Sequence, residues 1–169
     1  FNMLGAGCSH GLKHRGLIHT EFLSIGSDLA TLGDEYDITP HDRRPCSAFP
    51  NVYHPDFEAY CQYVARTRCL PHRDDPWLFG YFIDNELAWW GRGAQDTGLF
   101  DATMKKGPEH TAKRALVALM SACFGGKIAD FNAAFGTEAK SFDELLGLEK
   151  LPHATDAARA AKLAFLTHT

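Results

Sequence analysis

The stretch DDPWLFGYFIDNELAWWG, residues 74–91, decides the fold class of this chain. Residues 74–76 form a turn signal, and residues 77–83 are almost unbroken apolar and aromatic, which predicts a strand buried on both faces. The polar residues 84–86 end this run. Parallel α/β folds place their chemistry at the carboxyl ends of their strands. The stretch therefore predicts a site at the mouth of a parallel sheet or barrel.

The composition is typical of a globular domain with a small net charge. The 169 residues are 45% hydrophobic and 22% charged, and the formal net charge is -4. One domain of this size can bury a sizeable core. The charge gives no basis for binding nucleic acid or an anionic membrane surface. No apolar stretch approaches the ~20 residues that span a bilayer. We expect no nucleic acid and no membrane among the partners.

The cysteines and histidines match no metal-binding or disulfide pattern. Five cysteines are odd in number and lack close pairing, so most are expected to be free, buried thiols. The nine histidines are scattered, with only His10 and His14 at helical i, i+4 spacing. A metal hydrolase is therefore a minor alternative, and we expect no metal and no cofactor.

Strands and helices alternate along the chain. We expect strands at residues 1–6, 17–25 and 77–83, a long loop at 26–54, another loop at 91–107, and helices at 9–15 and 55–68 and from about 108, 127 and 155. This alternation argues for a parallel α/β architecture. An eight-unit barrel takes about 250 residues. Residues 1–169 are thus expected to form a single, truncated domain of a longer protein.

Glu86 is the best candidate for chemistry. A carboxyl group shielded from water at the end of an apolar strand, beside Trp89 and Trp90, can stay protonated and donate to a leaving-group oxygen. Asn85 carries amide donors and an acceptor that suit a sugar hydroxyl, and the tryptophans offer flat faces for a sugar ring. The alternative is an ordinary polar loop followed by core or interface tryptophans.

The run GYFIDNELAWWG resembles the fourth-strand signature of the large clan of retaining glycoside hydrolases with (β/α)8 barrels, in which an Asn-Glu pair ends the strand. The wider context, including FPNVYHPDFEAYC, FNAAFGT and SFDELL, is similar to family 50 β-agarases and, more distantly, to family 42 β-galactosidases. The likeness extends over residues 49–146. It implies a partial (β/α)8 TIM barrel, from its early strands to about the fourth strand and the helices after it.

The resemblance also implies roles for individual residues. Glu86 becomes the general acid/base and Asn85 the neighbour that binds the sugar next to the scissile bond. Trp89 and Trp90 become substrate-binding residues. His10 is a further candidate for lining the site, with a surface-loop histidine as the alternative.

Retaining hydrolysis needs a second carboxylate as nucleophile. The resemblance places it on the seventh strand, beyond this chain. The downstream acids Glu138, Glu144 and Glu149 match no nucleophile motif. We therefore expect residues 1–169 alone to be inactive.

Together these expectations describe a β-agarase-like glycoside hydrolase that cleaves β-galactosidic linkages in a galactose-containing polysaccharide such as agarose. Two alternatives stay open, namely a β-galactosidase that acts on short oligosaccharides and a non-catalytic carbohydrate-binding barrel fragment. The resemblance alone suggests a secreted or periplasmic location.

Overall fold

The computed structural model describes residues 3–5, 7–39, 48–89, 97–152 and 155–169. Within them the strands are β1 (Met3–Leu4), β2 (Ile18–Phe22), β3 (Asp37–Thr39), β4 (Phe49–Pro50) and β5 (Leu78–Phe82). The α-helices are α1 (Ile25–Ala30), α2 (Asp56–Val64), α3 (Gly98–Met104), α4 (Thr111–Cys123), α5 (Ile128–Phe135) and α6 (Asp156–His168).

A small parallel sheet of order β1-β2-β5 carries the three strands that the sequence predicted. Residues on β2 and β5 face each other in pairs such as Glu21 with Tyr81 and Phe22 with Phe82. The chain passes from β2 to β5 through α1, the antiparallel pair β3-β4, and α2. The predicted α/β class is confirmed, with a small parallel sheet whose strands β2 and β5 are joined by this crossover and a separate antiparallel pair.

The prediction that β5 is buried on both faces is wrong for this chain. Phe79 is 76% exposed, Ile83 60% and Phe82 49%. The physical reason is that no layer of described residues packs over Phe79 and Ile83, and Phe82 is covered only in part, by the stacked ring of Phe22.

Two predicted loops contain regular structure. The predicted loop at 26–54 holds most of α1, a 3-10 turn at Asp34–Tyr36, and both β3 and β4, while residues 40–47 lie outside the described part. The predicted loop after residue 91 holds α3, and α4 begins at Thr111. Both missed helices are too short to show a helical repeat, and they form because of tertiary contacts.

The hydrophobic core lies among α3, α4, α5 and α6, with Ile38 and Phe49 contributed by the β3-β4 pair. The helix predicted from about residue 108 corresponds to α4, whose residues Ala112, Leu116 and Met120 form an apolar stripe that is fully buried. The largest apolar side chains buried in this core are Phe49, Phe100, Phe131, Phe135 and Phe165. The core therefore sits beside the parallel sheet rather than on its exposed face.

The ends of the last two helices follow the sequence signals. Gly136 ends α5 in the left-handed conformation, with a φ of 66°. Thr155 caps α6, because its hydroxyl oxygen accepts a hydrogen bond from Ala158 N at 3.2 Å. These boundaries are local in origin, which is why the sequence could predict them.

The cysteines depart from their predicted burial. Cys8, Cys61, Cys69 and Cys123 are free, as expected, but the first three are half-buried and Cys123 is exposed. Cys46 lies outside the described residues. Of the helices described, none has the length and apolar character to cross a membrane.

Candidate active site

The polar residues after β5 do two different things. Asp84 binds the start of α1, because Oδ2 accepts from Gly26 N at 2.8 Å and Oδ1 accepts from Ser27 N at 3.0 Å and from Ser27 Oγ at 2.9 Å. A carboxylate at this place satisfies amides that have no partner inside the helix. Asp84 therefore fixes the carboxyl end of β5 against α1.

The backbone around this contact is tightly packed. A Cβ on Gly26 would lie 2.7 Å from Pro50 Cγ and 3.1 Å from Asp84 Oδ2, so a side chain does not fit there. Ile25 N donates to Ile83 O at 3.0 Å, and Leu23 N donates to Phe82 O at 2.8 Å. The carboxyl ends of β2 and β5 are thus held together up to the point where the polar loop begins.

Glu86 lies on the solvent side of this loop. Its φ is 49°, which places a non-glycine residue in the left-handed region. Its side chain is exposed and lines an open groove of about 540 Å³. The groove is lined by Tyr81, Phe82, Ile83, Asp84, Glu86, Leu87 and Trp89. The shielding from water that the sequence suggested for Glu86 is not provided by the described residues.

Trp89 forms the far wall of the same groove. Its side chain is 43% exposed, and its ring meets Phe49 edge to face with centroids 4.6 Å apart. Ala88 beside it is buried. One part of the indole is therefore anchored in the protein while another part faces the groove. Phe49 was not predicted as a site residue, although it begins the FPNVYHPDFEAYC segment on which the resemblance drew.

Of the three remaining predicted site residues, one adjoins the groove, one lies outside the described residues and one lines a different cavity. Asn85 is exposed next to Glu86. Trp90 lies outside the described residues. His10 lines a separate cavity of about 360 Å³, together with His14, Glu21, Phe22, Leu23, Thr67, Arg68 and His72. The structure brings Glu86 and Trp89 together in one groove, with Asn85 adjoining, and places His10 elsewhere.

The groove offers one available carboxylate. Glu86 can exchange a proton with a bound molecule, and the indole of Trp89 and the rings of Tyr81 and Phe82 give apolar walls. The other carboxylate that lines the groove is Asp84, whose two oxygens are both engaged by α1. Among the described residues, the groove therefore has one carboxylate that α1 does not hold and apolar walls beside it.

Solved structures share this fold. A structure from the structural analysis of an exo-β-agarase matches 72% of this chain at 29% sequence identity and a TM-score of 0.61. The structure of PfGH50B matches 90% of the chain at 18% identity and a TM-score of 0.65. The chain spans 17% and 21% of the lengths of these two proteins. No protein-family model and no curated protein matches the chain.

The fold of this chain is thus similar to a segment of family 50 type glycoside hydrolases. Of these two structures, the exo-β-agarase is the more similar in sequence, with 29% identity over 72% of the chain.

Proposed function

We propose that the protein carrying this chain is a glycoside hydrolase that cleaves β-galactosidic linkages in a polysaccharide such as agarose by a retaining mechanism. The observation that carries the proposal is the common groove of Glu86 and Trp89 at the carboxyl end of a parallel strand. The similarity to an exo-β-agarase supports the substrate class. An exposed indole also offers a flat apolar face on which a sugar ring can pack.

In this proposal Glu86 is the general acid/base. It first protonates the oxygen of the leaving sugar and then, as a carboxylate, deprotonates the water that releases the product. Asn85 donates and accepts hydrogen bonds with a hydroxyl of the sugar next to the scissile bond. Trp89, together with Trp90, forms the stacking surface of a subsite. Each role is consistent with the exposed position of Asn85 and Glu86.

The nucleophile in this proposal is a second carboxylate about 5–5.5 Å from Glu86. Asp84 is unsuited to that role because three donors from α1 hold its oxygens. We place the nucleophile on another strand of a (β/α)8 barrel, of which residues 1–169 form an early part. The carboxyl ends of barrel strands converge on one face, so such a residue would reach the groove.

The test is hydrolysis of agarose oligosaccharides and of an aryl β-galactoside by the protein that carries this chain, compared with its Glu86→Gln variant. Loss of a general acid should lower kcat on the natural glycan by about 10²–10⁴-fold. The loss of kcat/KM, which reports the first step, should be much smaller on the aryl glycoside, because an activated leaving group departs without protonation; kcat on that substrate should still fall, since the second step lacks its general base.

Glu138→Gln is the matched control, since Glu138 is also an exposed glutamate but lies outside the groove. It should retain the activity of the unmodified protein. If Glu86→Gln hydrolyses both substrates at the unmodified rate, Glu86 is not the acid/base. If the protein binds agarose oligosaccharides and hydrolyses neither substrate, the non-catalytic carbohydrate-binding alternative replaces the proposal.

A further inference from the structure

A second cluster of polar side chains lies at the opposite end of the same strands. His19 is near the amino end of β2 and pairs with Leu78 at the amino end of β5. Asp75 lies in the turn before β5, and His14 lies in the loop before β2. The Glu86 groove opens at the carboxyl ends of these strands, and none of the three cluster residues lines it.

The three side chains direct possible ligand atoms at one point. One ligand atom from each of His14, His19 and Asp75 lies within 4.8 Å of the others. His14 Nδ1 is 2.6 Å from Asp75 Oδ2, and His19 Nε2 is 3.9 Å from the same oxygen. Ligand atoms around a tetrahedral Zn²⁺ are roughly 3.3 Å apart, given metal-ligand bonds of about 2.0–2.2 Å. Shifts of about an ångström in these side chains would bring the three ligand atoms to the spacing found around a tetrahedral Zn²⁺.

His19 is prepared to be a ligand. Its side chain is 0% exposed, and its Nδ1 lies 3.0 Å from Leu17 O. A carbonyl oxygen only accepts, so Nδ1 carries the proton and Nε2 carries the lone pair. This Nε2 is buried and has no hydrogen-bond partner. Folded proteins rarely leave a buried acceptor unsatisfied, and a carbonyl behind the other ring nitrogen is the usual support of a metal-binding histidine.

His14 has the same kind of support from a carboxylate. While Nδ1 faces Asp75, Nε2 lies 3.4 Å from Glu21 Oε1. The side chain of His14 is 28% exposed, which gives an ion a path to the cluster. The backbone of His14 has a φ of 57°. His72 stacks on the His14 ring with centroids 3.9 Å apart, which fixes the ring plane.

The charges around the cluster favour a cation. Asp75 Oδ1 accepts a hydrogen bond from Trp77 N at 2.8 Å, while Asp75 Oδ2 faces the two histidines. Lys13 balances Glu21 at 3.0 Å. A cation in the cluster would meet the carboxylate of Asp75 together with one ring nitrogen from each of His14 and His19.

We propose that His14 Nδ1, His19 Nε2 and Asp75 Oδ2 bind a divalent transition metal ion such as Zn²⁺, with water completing the coordination. Two imidazoles and one carboxylate suit such ions better than they suit Mg²⁺ or Ca²⁺. The ion would tie the loop before β2 to the turn before β5. The proposal is independent of the role of Glu86.

The test uses calorimetric titration of the 169-residue chain with ZnCl₂, and with CoCl₂ as a visible-absorption probe of coordination geometry. We expect one Zn²⁺ per chain, visible absorption typical of low-coordinate Co²⁺, and no comparable binding of MgCl₂. His14→Asn and Asp75→Asn should each weaken Zn²⁺ binding at least about tenfold. Asn tolerates the left-handed backbone at position 14, so the first variant should remain folded.

His168→Asn is the control for adventitious binding, because His168 is an exposed histidine on α6, far along the chain from the cluster. It should bind Zn²⁺ as the unmodified chain does. Circular dichroism of each metal-free variant tests whether the variant is folded. In thermal unfolding, Zn²⁺ should raise the Tm of the unmodified chain but not the Tm of His14→Asn. Unchanged Zn²⁺ binding by folded His14→Asn and Asp75→Asn, or no Zn²⁺ binding by the unmodified chain, would reduce the cluster to an ion-pair network.

Discussion

Replacing Asp84 with alanine should destabilise the chain without touching its core. The substitution removes the acceptors of Gly26 N, Ser27 N and Ser27 Oγ at the start of α1. Loss of a helix cap costs about 0.5–2 kcal/mol. Asp84 is a charged acceptor for three donors, and hydrogen bonds to charged groups lie at the upper end of the range. Water can replace part of the loss because the contact is only partly buried.

We therefore expect the free energy of unfolding to fall by about 2 kcal/mol. For a chain of this size that corresponds to a Tm lower by roughly 4–8 °C. Urea unfolding followed by circular dichroism measures the free energy, and calorimetry measures the Tm.

Asp74→Ala is the matched control for Asp84→Ala. Asp74 is an aspartate that precedes β5, as Asp84 follows it. Its exposed carboxylate forms a surface ion pair with Arg73. Such pairs contribute about 0–1 kcal/mol. If Asp84→Ala is as stable as Asp74→Ala, the three hydrogen bonds do not stabilise the junction of β5 and α1. Asp84 would then not be the residue that holds the loop of Glu86 in place.

Two further substitutions test the fold. Gly26→Ala would bring a Cβ within 2.7 Å of Pro50 Cγ, and overpacking of this kind should cost about 1–3 kcal/mol in urea unfolding, whereas an unchanged stability would contradict the close packing. For His110, burial and the charge of Lys106 lower the pKa below its usual value, against the raising effect of the Asp37 and Asp34 carbonyls. A lowered pKa favours the neutral form in the folded state, so its stabilisation is complete above about pH 6.5 and is lost as the pH falls below it. His110→Gln should therefore show a smaller loss of stability between about pH 7.5 and pH 5.5 than the unmodified chain, and equal losses would contradict this.

The sequence predicted those elements whose signals are local. The apolar stripe of α4, the left-handed Gly136 after α5 and the Thr155 cap of α6 each depend on residues within one or two helical turns. The presence of a parallel sheet also followed from the alternation of strands and helices, whereas the pairing of β2 with β5 was not predicted.

What the sequence could not predict depends on distant contacts. Helix α1 begins where Asp84, 58 residues later, meets Gly26. His14 and Asp75 are 61 residues apart, so no spacing motif could reveal their cluster with His19. The exposure of Phe79 was missed because an apolar run shows what a strand can bury and not whether a neighbour covers it.

The three polar residues after β5 illustrate how a fold can position a reactive group that the fold itself does not need. Asp84 is consumed by hydrogen bonds to α1, and buried Ala88 fixes the chain on the other side of the loop. Between these anchors Glu86 makes its turn in the left-handed region, where glycine would be the unstrained choice. Non-glycine residues in that conformation persist where the surrounding structure holds them, and they cluster at functional sites. The left-handed backbone of Glu86 and its place in the groove with Trp89 are thus two separate observations that support the acid/base role proposed for this carboxylate.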